Sequence, residues 1–389
     1  MRKKKILFIM ESLKIGGAEK SLLTLLSLLD YDRYEVELFL FSYDGELMEF
    51  IPKEVKLLSE DTKYKIFRKN RKMAPMNYLL NGDIKRAWRS LEYLVGCLKQ
   101  RITKKPLYIG WNYVTHLFDQ RELKADISIA YLERKCIYFN IDHVKSDRKI
   151  GFIHNDYSAY HFDDLLDRKY FKYYDKIATV SSHCEDVLKD IFPEYKEKFT
   201  VINNMVSSEL IQSMAEEELP QNVYKGNAPV IVTVGRLVRQ KGYDYAIEAC
   251  KTLVDEGQKI VWYAIGEGPE RAKLQEQINS LGLEKNFILV GAQKNPYKWM
   301  NFADVYVQPS RFEGFGITIA EANSLNKQIV CSDIPEFREQ LGKRENCYFT
   351  DVKTMAKYIK YNIKTDSKGF ITNIIDNQKN IEKFYSQLE

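Results

Sequence analysis

The chain repeats one local pattern in its two halves: a short apolar run, a loop that contains glycine, and an amphipathic helix. In the first half KILFIM (5–10) is followed by a loop with Gly16 and Gly17, and then by leucines at positions 22, 25, 26 and 29. Leucines at this spacing line one side of a helix, and an unbroken apolar run is typical of a strand buried on both faces. A strand, a helix and another strand in this order predict a doubly wound parallel sheet.

The same pattern begins again at Pro229. IVTVG is predicted as a strand, residues 236–244 as a loop, and residues 245–257 as a helix that ends at Gly257. Further strands are predicted in both halves, at EVELFLFS, ADISIAYL, KIGFIH and KIATVSS, and then at KIVWYAIG, NFILVG, ADVYVQPS and QIVCSD. The sequence therefore predicts an α/β protein with two Rossmann-like domains in tandem.

The length of 389 residues is in keeping with two domains. We place the boundary near residues 201–210, assign 1–205 to the first domain and 206–369 to the second, and predict a helix over 370–389. Ligands of open α/β sheets bind beyond the carboxyl ends of the strands. We therefore expect the functional residues in loops that follow strands, with the loops of the two domains facing a shared cleft.

The cysteines and the N-terminus indicate the compartment. Six cysteines are scattered without a C-x-x-C pair, which argues against a zinc site and a disulfide scaffold and favours a reduced, cytosolic environment. The first apolar run stops at Glu11, too early for the core of a signal peptide. No run approaches the roughly 18 apolar residues of a membrane span. Peripheral attachment to a membrane stays open.

Positive charge is concentrated in one segment, although the whole chain carries only +5. Residues 61–105 contain thirteen Lys or Arg against three Asp or Glu, an excess of ten. The segment also carries apolar and aromatic residues: Phe67, Tyr78, Leu79, Leu80, Trp88, Leu91, Tyr93 and Leu94. This mixture suits an anionic membrane surface or a nucleic acid, and it also suits a solvated helical face.

Three predicted strand-end loops carry candidate binding residues. Gly16 and Gly17 precede a helix, where exposed N–H groups favour an anion, although a tight turn would use the same residues. Arg236 and Lys241 suit a diphosphate, or form a merely basic surface loop. His154 ends a strand in GFIHNDY, where it can bind a hydroxyl group or serve a structural purpose.

The fourth loop is EGFGITIAE, residues 313–321. Glu313 lies in the predicted loop and Glu321 in the second turn of the helix that follows. Carboxylates accept hydrogen bonds from vicinal sugar hydroxyls, so two of them at different depths can hold two hydroxyl-bearing rings. Alternatively, Glu321 is an ordinary helix residue and Glu313 interacts with the helix dipole.

Together these segments resemble family 4 retaining glycosyltransferases of the GT-B fold, over essentially the whole chain. The matching pieces are GGAE at 16–19, the strand end at His154, VINN at 201–204, GRL…KG at 235–242, GEGPE at 266–270 and EGFG…E at 313–321. The last piece is the most specific, because it is similar to the E-x7-E motif of that family with its Gly-aromatic-Gly interior.

The resemblance implies a role for each candidate residue. A sugar nucleotide would bind mainly to the second domain, with Arg236 and Lys241 on its diphosphate and Glu321 on its ribose. Glu313 would contact the transferred sugar near its C3 and C4 hydroxyls. The segment Gly314, Phe315 and Gly316 would make further contacts with the donor, and so would Gly16 and Gly17 from the first domain. His154 would lie beside the sugar and the acceptor. The final helix, 370–389, would cross back to the acceptor-side first domain.

The resemblance also implies an activity. It would be a retaining hexosyltransferase that moves a sugar from a nucleoside diphosphate, UDP favoured, to a hydroxyl of a lipid-linked or growing saccharide. The products would be surface polysaccharide, capsule or glycolipid. The protein would work at the inner face of the cytoplasmic membrane, with segment 61–105 on the anionic surface. It would not bind nucleic acid. No cofactor and no metal are expected, because no D-x-D follows a predicted strand and the Asp pair at 163–164 falls in a predicted helix. The alternatives are a sugar-nucleotide 2-epimerase of the same fold and a non-catalytic binding protein.

Overall fold

The computed structural model describes residues 2–103, 110–119, 122–159, 164–220, 223, 226–342, 347–363 and 377–389. The chain divides into two compact units. The first contains Met1–Asn203 together with Gln378–Glu389, and the second contains Asn204–Asn377. Each unit is built around its own parallel sheet. The predicted class, α/β with two Rossmann-like parallel-sheet domains, is confirmed.

The first unit has a seven-stranded sheet in the order β3-β2-β1-β4-β5-β6-β7. Its strands are β1 Lys4–Met10, β2 Tyr34–Leu40, β3 Lys56–Leu57, β4 Leu123–Ala130, β5 Val144–Ile153, β6 Lys176–Thr179 and β7 Phe199–Val201. Its described helices are α1 Gly17–Ser27, α2 Thr62–Lys69, α3 Ala74–Leu80, α4 Ile84–Thr103, α5 Gly110–Val114, α6 Lys135–His143, α7 Asp164–Phe171 and α8 Ser182–Ile191. The predicted leucine stripe is buried, although α1 ends at Ser27 and Leu29 lies just beyond it.

The second unit has a six-stranded sheet in the order β10-β9-β8-β11-β12-β13. Its strands are β8 Val230–Val234, β9 Val261–Ile265, β10 Phe287–Gly291, β11 Val305–Gln308, β12 Gln328–Ser332 and β13 Cys347–Thr350. Its helices are α9 Ser208–Ala215, α10 Tyr243–Asp255, α11 Arg271–Ser280, α12 Tyr297–Phe302, α13 Ile317–Ser324, α14 Pro335–Leu341 and α15 Met355–Ile363. The apolar run of β8 is buried along its whole length, as a central parallel strand requires.

The strand order of each sheet reverses at one point. In the first unit the chain proceeds outward from β1 to β3 and then returns to the other side of β1 with β4. In the second unit the reversal lies between β8 and β11. Loops diverge on either side of such a point and leave a crevice, which is where open α/β sheets bind ligands.

The last helix, α16 Asn377–Ser386, packs on the first unit. The Phe384 ring stacks on Phe8 of β1 with 6.3 Å between centroids, and the Tyr385 ring stacks on Tyr34 at 5.8 Å. The Tyr385 hydroxyl also accepts a hydrogen bond of 2.7 Å from the backbone N–H of Asp30. The part of the predicted terminal helix before residue 377 lies outside the described residues.

Candidate functional site

Two loops interlock where the strand order of the second unit reverses. The β8–α10 loop spans residues 235–242, and the β11–α13 loop spans residues 309–316. The backbone N–H of Arg311 donates to the carbonyl of Gln240 at 2.8 Å, and the Gln240 side chain donates to the carbonyl of Phe312 at 3.1 Å. The candidate residues of both loops are thereby held in one place.

Gly242 makes this close approach possible. Its φ of +65° is a left-handed conformation that favours glycine, and a Cβ built there would lie 1.9 Å from the carbonyl oxygen of Pro309. No side chain fits at that distance. The glycine therefore fixes both the turn into α10 and the separation of the two loops.

Lys241 and Glu313 form an ion pair at the meeting of the loops. The Lys241 Nζ lies 2.6 Å from the Glu313 Oε1, and the two side chains are only 13% and 6% exposed. The Ser310 hydroxyl donates to the same carboxylate oxygen at 2.6 Å. Sequence reasoning assigned these residues to different parts of a ligand, and the structure brings them into direct contact.

A buried hydrogen-bond chain supports Ser310 from beneath. The Gln308 side chain donates to the Ser310 hydroxyl at 2.9 Å, and the Tyr306 hydroxyl donates to the Gln308 carbonyl oxygen at 2.6 Å. The Thr318 hydroxyl, on α13, donates to the same Gln308 oxygen at 3.2 Å. Sequence reasoning missed these residues. The signal was a glutamine inside an otherwise apolar strand, which must find partners when buried.

Arg236 differs from Lys241 in being exposed. It directly follows the carboxyl end of β8 and Gly235. Within the part of the chain that the structure describes, its guanidinium has no ion pair. A cation in this position is available to an anion from solution, whereas Lys241 is already bound to a carboxylate.

Glu321 lies on α13 and is buried. One of its carboxylate oxygens accepts a hydrogen bond of 3.0 Å from the Tyr297 hydroxyl on α12. The α13 helix begins after Gly316, whose φ is +80° and whose Cβ would lie 2.4 Å from the Phe337 ring. Gly314 and Phe315 complete the turn between the two glutamates, and the Phe315 ring is buried.

Asp244 and Arg311 connect the first turn of α10 to the β11–α13 loop. Two hydrogen bonds of 2.9 and 2.6 Å join the guanidinium to the carboxylate, and the Arg311 guanidinium also lies 3.9 Å from the centre of the Tyr245 ring. Burial opposes ionisation of Asp244, but the hydrogen bonds from Arg311 outweigh it and lower the pKa of the carboxyl below its usual range.

Asp244→Asn should lower stability at neutral pH and have little effect in acid. The folded-state pKa lies below the unfolded value of about 3.9, so the contribution is complete above that pH and is lost as pH falls through the folded value. Because the pair is partly open to solvent, we expect a difference of about 1 kcal/mol or less at neutral pH. Urea unfolding of both proteins across this range measures it, and a difference that stays constant into acid would contradict the assignment.

The first unit carries its candidates at the carboxyl edge of neighbouring strands. Gly16 is the N-cap of α1 after β1, and His154 follows β5. Tyr131, which follows β4, lies between them: its hydroxyl shares a 3.1 Å hydrogen bond with Ser21 of α1, and its ring centre is 4.9 Å from that of His154. Gly17 is the first residue of α1. The structure therefore groups Gly16, Gly17 and His154 at the β1–β4 reversal point of this unit.

Glu133 holds the chain after β5 in position. Its carboxylate accepts from the backbone N–H of His154 at 3.1 Å and from the side chain of Asn155. Arg134, which follows Glu133, has a φ of +62°, which is uncommon for a residue with a side chain. Sequence analysis missed Glu133 and Tyr131. Both follow β4, so their position at a strand end was the available signal.

The basic segment predicted at 61–105 forms α2, α3 and α4 as far as Thr103, and its last two lysines lie outside the described residues. The structure sorts its apolar residues into two groups. Phe67 and Tyr78 belong to the core of the unit and cannot reach a surface, whereas Leu79, Leu80, Trp88 and Leu91 are exposed. Tyr93 and Leu94 are partly buried. No helix in the described residues is both long enough and apolar enough to cross a bilayer.

Two parallel-sheet Rossmann-like units are characteristic of the GT-B fold, and the comparisons agree. The structure resembles Anabaena HepE in complex with UDP-glucose, with a TM-score of 0.68, 18% identity, and coverage of 98% of this chain and 100% of the other. The chain has the GT-B fold. Residues 214–379 match the family model described as "Glycosyl transferases group 1", so the second unit carries the sequence signature of that family.

Two relatives in sequence are glycosyltransferases by name. An uncharacterised glycosyltransferase of Methanocaldococcus jannaschii is 30% identical over 229 residues, which are 56% of this chain and 55% of the relative. The N-acetylgalactosamine-N,N'-diacetylbacillosaminyl-diphospho-undecaprenol 4-alpha-N-acetylgalactosaminyltransferase of Campylobacter jejuni is 27% identical over 217 residues, 51% of this chain and 57% of the relative. The chain thus spans little more than half the length of these relatives.

Proposed function

We propose that the protein is a retaining glycosyltransferase of family 4 type. It transfers a hexose-type sugar from a nucleoside diphosphate, with UDP favoured, to a hydroxyl of a lipid-linked or growing saccharide. The observation that carries the proposal is the Lys241–Glu313 pair, which joins the two loops at the reversal point of the second unit. The family match over this same unit supports it.

The second unit is the proposed donor site. Arg236 binds the diphosphate from the exposed side, and Lys241 lies behind it with Glu313 as partner. On donor binding, the Glu313 carboxylate accepts from hydroxyls of the sugar, and Lys241 shares its charge between that carboxylate and a phosphate oxygen. Glu321, fixed by Tyr297, accepts from the ribose. The Gly314, Phe315 and Gly316 turn supplies backbone N–H groups.

The chemistry proposed for these groups is stabilisation of the leaving group. Negative charge develops on the diphosphate as the glycosidic bond breaks, and fixed cations at that point stabilise it. This arrangement supplies the charge without a metal ion, so we propose metal-independent transfer. The sugar passes through an oxocarbenium-like state, and the acceptor attacks on the face that the diphosphate leaves.

The acceptor is assigned to the first unit, with His154 beside the reacting hydroxyl. Glu133 and Tyr131 hold His154 in place through the backbone and the ring face. The name of the Campylobacter relative specifies an undecaprenol-linked acceptor for that protein, which supports a lipid-linked saccharide here. We therefore propose a cytoplasmic protein, peripheral at the inner face of the membrane, in surface polysaccharide, capsule or glycolipid assembly.

Incubation of the full chain with a panel of UDP- and GDP-sugars tests the proposal. Slow release of the nucleoside diphosphate, or transfer to an added saccharide, is the expected result. Interconversion of two sugar nucleotides would show a 2-epimerase instead. Binding without any turnover, with every donor and with saccharide present, would show a non-catalytic protein.

Arg236→Ala should weaken UDP binding by about tenfold or more, because a charge-assisted hydrogen bond contributes about 1.5–3 kcal/mol. Isothermal calorimetry measures the affinity. Lys259→Ala is the matched control: it removes an exposed positive charge from the same unit, but Lys259 precedes β9 and lies at the opposite edge of the sheet. If the two variants bind UDP with equal affinity, Arg236 does not contact the donor.

A further inference from the structure

The apolar side chains exposed on this protein are concentrated on one pair of helices. Of the fifteen large apolar residues that are exposed in the described part of the chain, ten fall between residues 73 and 102. Scattered exposed apolar residues are normal on a soluble protein, but a contiguous patch marks an interaction surface. We call this set the α3–α4 patch; its members are Met73, Met76, Leu79, Leu80, Ile84, Trp88, Leu91, Val95, Leu98 and Ile102.

The part of the patch on α4 is a continuous stripe. Its residues are spaced four, three, four, three and four apart along the 20-residue helix: Ile84, Trp88, Leu91, Val95, Leu98 and Ile102. This spacing places them on one side of the helix. The opposite side is anchored in the unit, where Ala87 and Ser90 are buried and the Tyr93 ring packs edge-on against Phe67 at 4.9 Å.

Positive charges surround the patch. Lys69 is the last residue of α2, Lys72 lies between α2 and α3, and Lys85 lies at the start of α4. All three are exposed, and within the described residues none of them forms an ion pair with a carboxylate. Arg86, by contrast, donates to Asp83 and to the carbonyls of Leu117 and Phe118. The surface thus combines available lysines with exposed apolar side chains.

The positive charge of segment 61–105 distinguishes between two partners that could cover the patch, a second copy of this chain and an anionic lipid surface. A second copy of this chain would bring a second segment with an excess of ten positive charges against the first, and like charges at an interface disfavour association. The apolar residues also extend over α3, beyond the narrow stripe that a coiled-coil partner covers. An anionic lipid surface matches both the charge and the width.

We propose that the α3–α4 patch inserts into the headgroup and outer acyl region of an anionic membrane, with α4 lying parallel to the surface. The inference rests on the peripheral membrane attachment in the proposed function and deepens it: lysines attract the protein to the surface, and the apolar stripe enters it. Interfacial helices of this kind bury their apolar side about 5–10 Å deep. Binding then keeps a component that salt does not remove.

Trp88 reports the insertion directly. It is 62% exposed, whereas the other three tryptophans of the chain, Trp111, Trp262 and Trp299, are buried. The full chain is mixed with vesicles of phosphatidylglycerol and phosphatidylcholine in equal parts. We expect the emission to shift to shorter wavelength and to be quenched by brominated acyl chains. Trp88→Phe should remove both effects.

A double variant that introduces two negative charges tests the stripe itself. Leu98→Glu combined with Ile102→Glu should raise the lipid concentration needed for half-maximal flotation by at least tenfold, about 1.4 kcal/mol. Leu165→Glu is the control, because Leu165 is 75% exposed on α7, a helix that does not belong to the patch, and it should float like the parent. Flotation at about 0.1 M and about 1 M salt separates attraction by charge from insertion.

The other possible results of these experiments show which part of the proposal is wrong. Flotation that disappears at high salt, without a shift of Trp88 emission, would leave the electrostatic attachment standing and overturn the insertion. Absence of flotation with anionic vesicles would overturn both, while donor turnover with a soluble saccharide would still support the transferase. A doubled mass in light scattering without vesicles, abolished by Leu98→Glu with Ile102→Glu, would show that a second copy covers the patch.

Discussion

Lys241→Met should reduce sugar transfer by about 10²–10³, the usual loss when a charge that stabilises a leaving group is removed. It should also lower the free energy of unfolding by about 3 kcal/mol, because the Glu313 carboxylate would stay buried without its cation. The two effects have different origins. The first would come from loss of the contact with the donor proposed above, and the second from the carboxylate that the lysine neutralises.

The double variant Lys241→Met with Glu313→Gln separates these origins. A neutral glutamine can still accept from Ser310, so most of the lost stability should return, measured by urea unfolding. Transfer, measured as release of nucleoside diphosphate at saturating acceptor, should stay low because neither charge is restored. Recovery of transfer together with stability would show that the pair only supports the loops.

Gly242→Ala should be among the most destabilising single substitutions in the second unit. The left-handed conformation alone costs a residue with a Cβ about 1–2 kcal/mol. Here the added carbon would also lie 1.9 Å from the carbonyl oxygen of Pro309, so the two loops must separate. We expect a total loss of about 3 kcal/mol or more, together with weaker UDP binding, since Lys241 precedes the altered residue.

Gly257 provides the matched control for this substitution. Its φ of +77° is also left-handed, but no atom lies within 4 Å of the position of its Cβ. Gly257→Ala should therefore show only the conformational cost of about 1–2 kcal/mol and leave UDP affinity unchanged. If both alanine variants melt at the same temperature, the close approach of the loops does not matter for stability.

The strands and the candidate loops followed from local pattern. Unbroken apolar runs located β1 and β8, and the spacing of the α1 leucines located its buried side. The GT-B resemblance then rested mainly on residues in the loops and first helical turns that follow strands, and the sheet fixes where these segments lie. The confirmed parts of the prediction are therefore those that depend on neighbours in sequence.

Contacts between distant residues could not be predicted in the same way. The ion pair of Lys241 and Glu313 joins residues 72 apart, and the hydrogen bond from Tyr297 to Glu321 joins residues 24 apart. Which glutamate meets which partner depends on how the loops cross at the reversal point, and spacing along the chain carries no such information. The apolar residues of segment 61–105 show the same limit, since composition did not separate buried Tyr78 from exposed Leu80.

The packing of α16 on β1 has a consequence for biosynthesis. The first unit combines Met1–Asn203 with Gln378–Glu389, which lie on either side of the second unit in sequence, so Phe384 can complete its core only after the second unit has been synthesised. Domains usually fold in order during synthesis. Here the second unit can complete its folding while the first unit is still incomplete, with Phe8 not yet covered by Phe384. A nascent chain stalled before residue 377 would therefore expose the older half of the protein to chaperones, not the newer one.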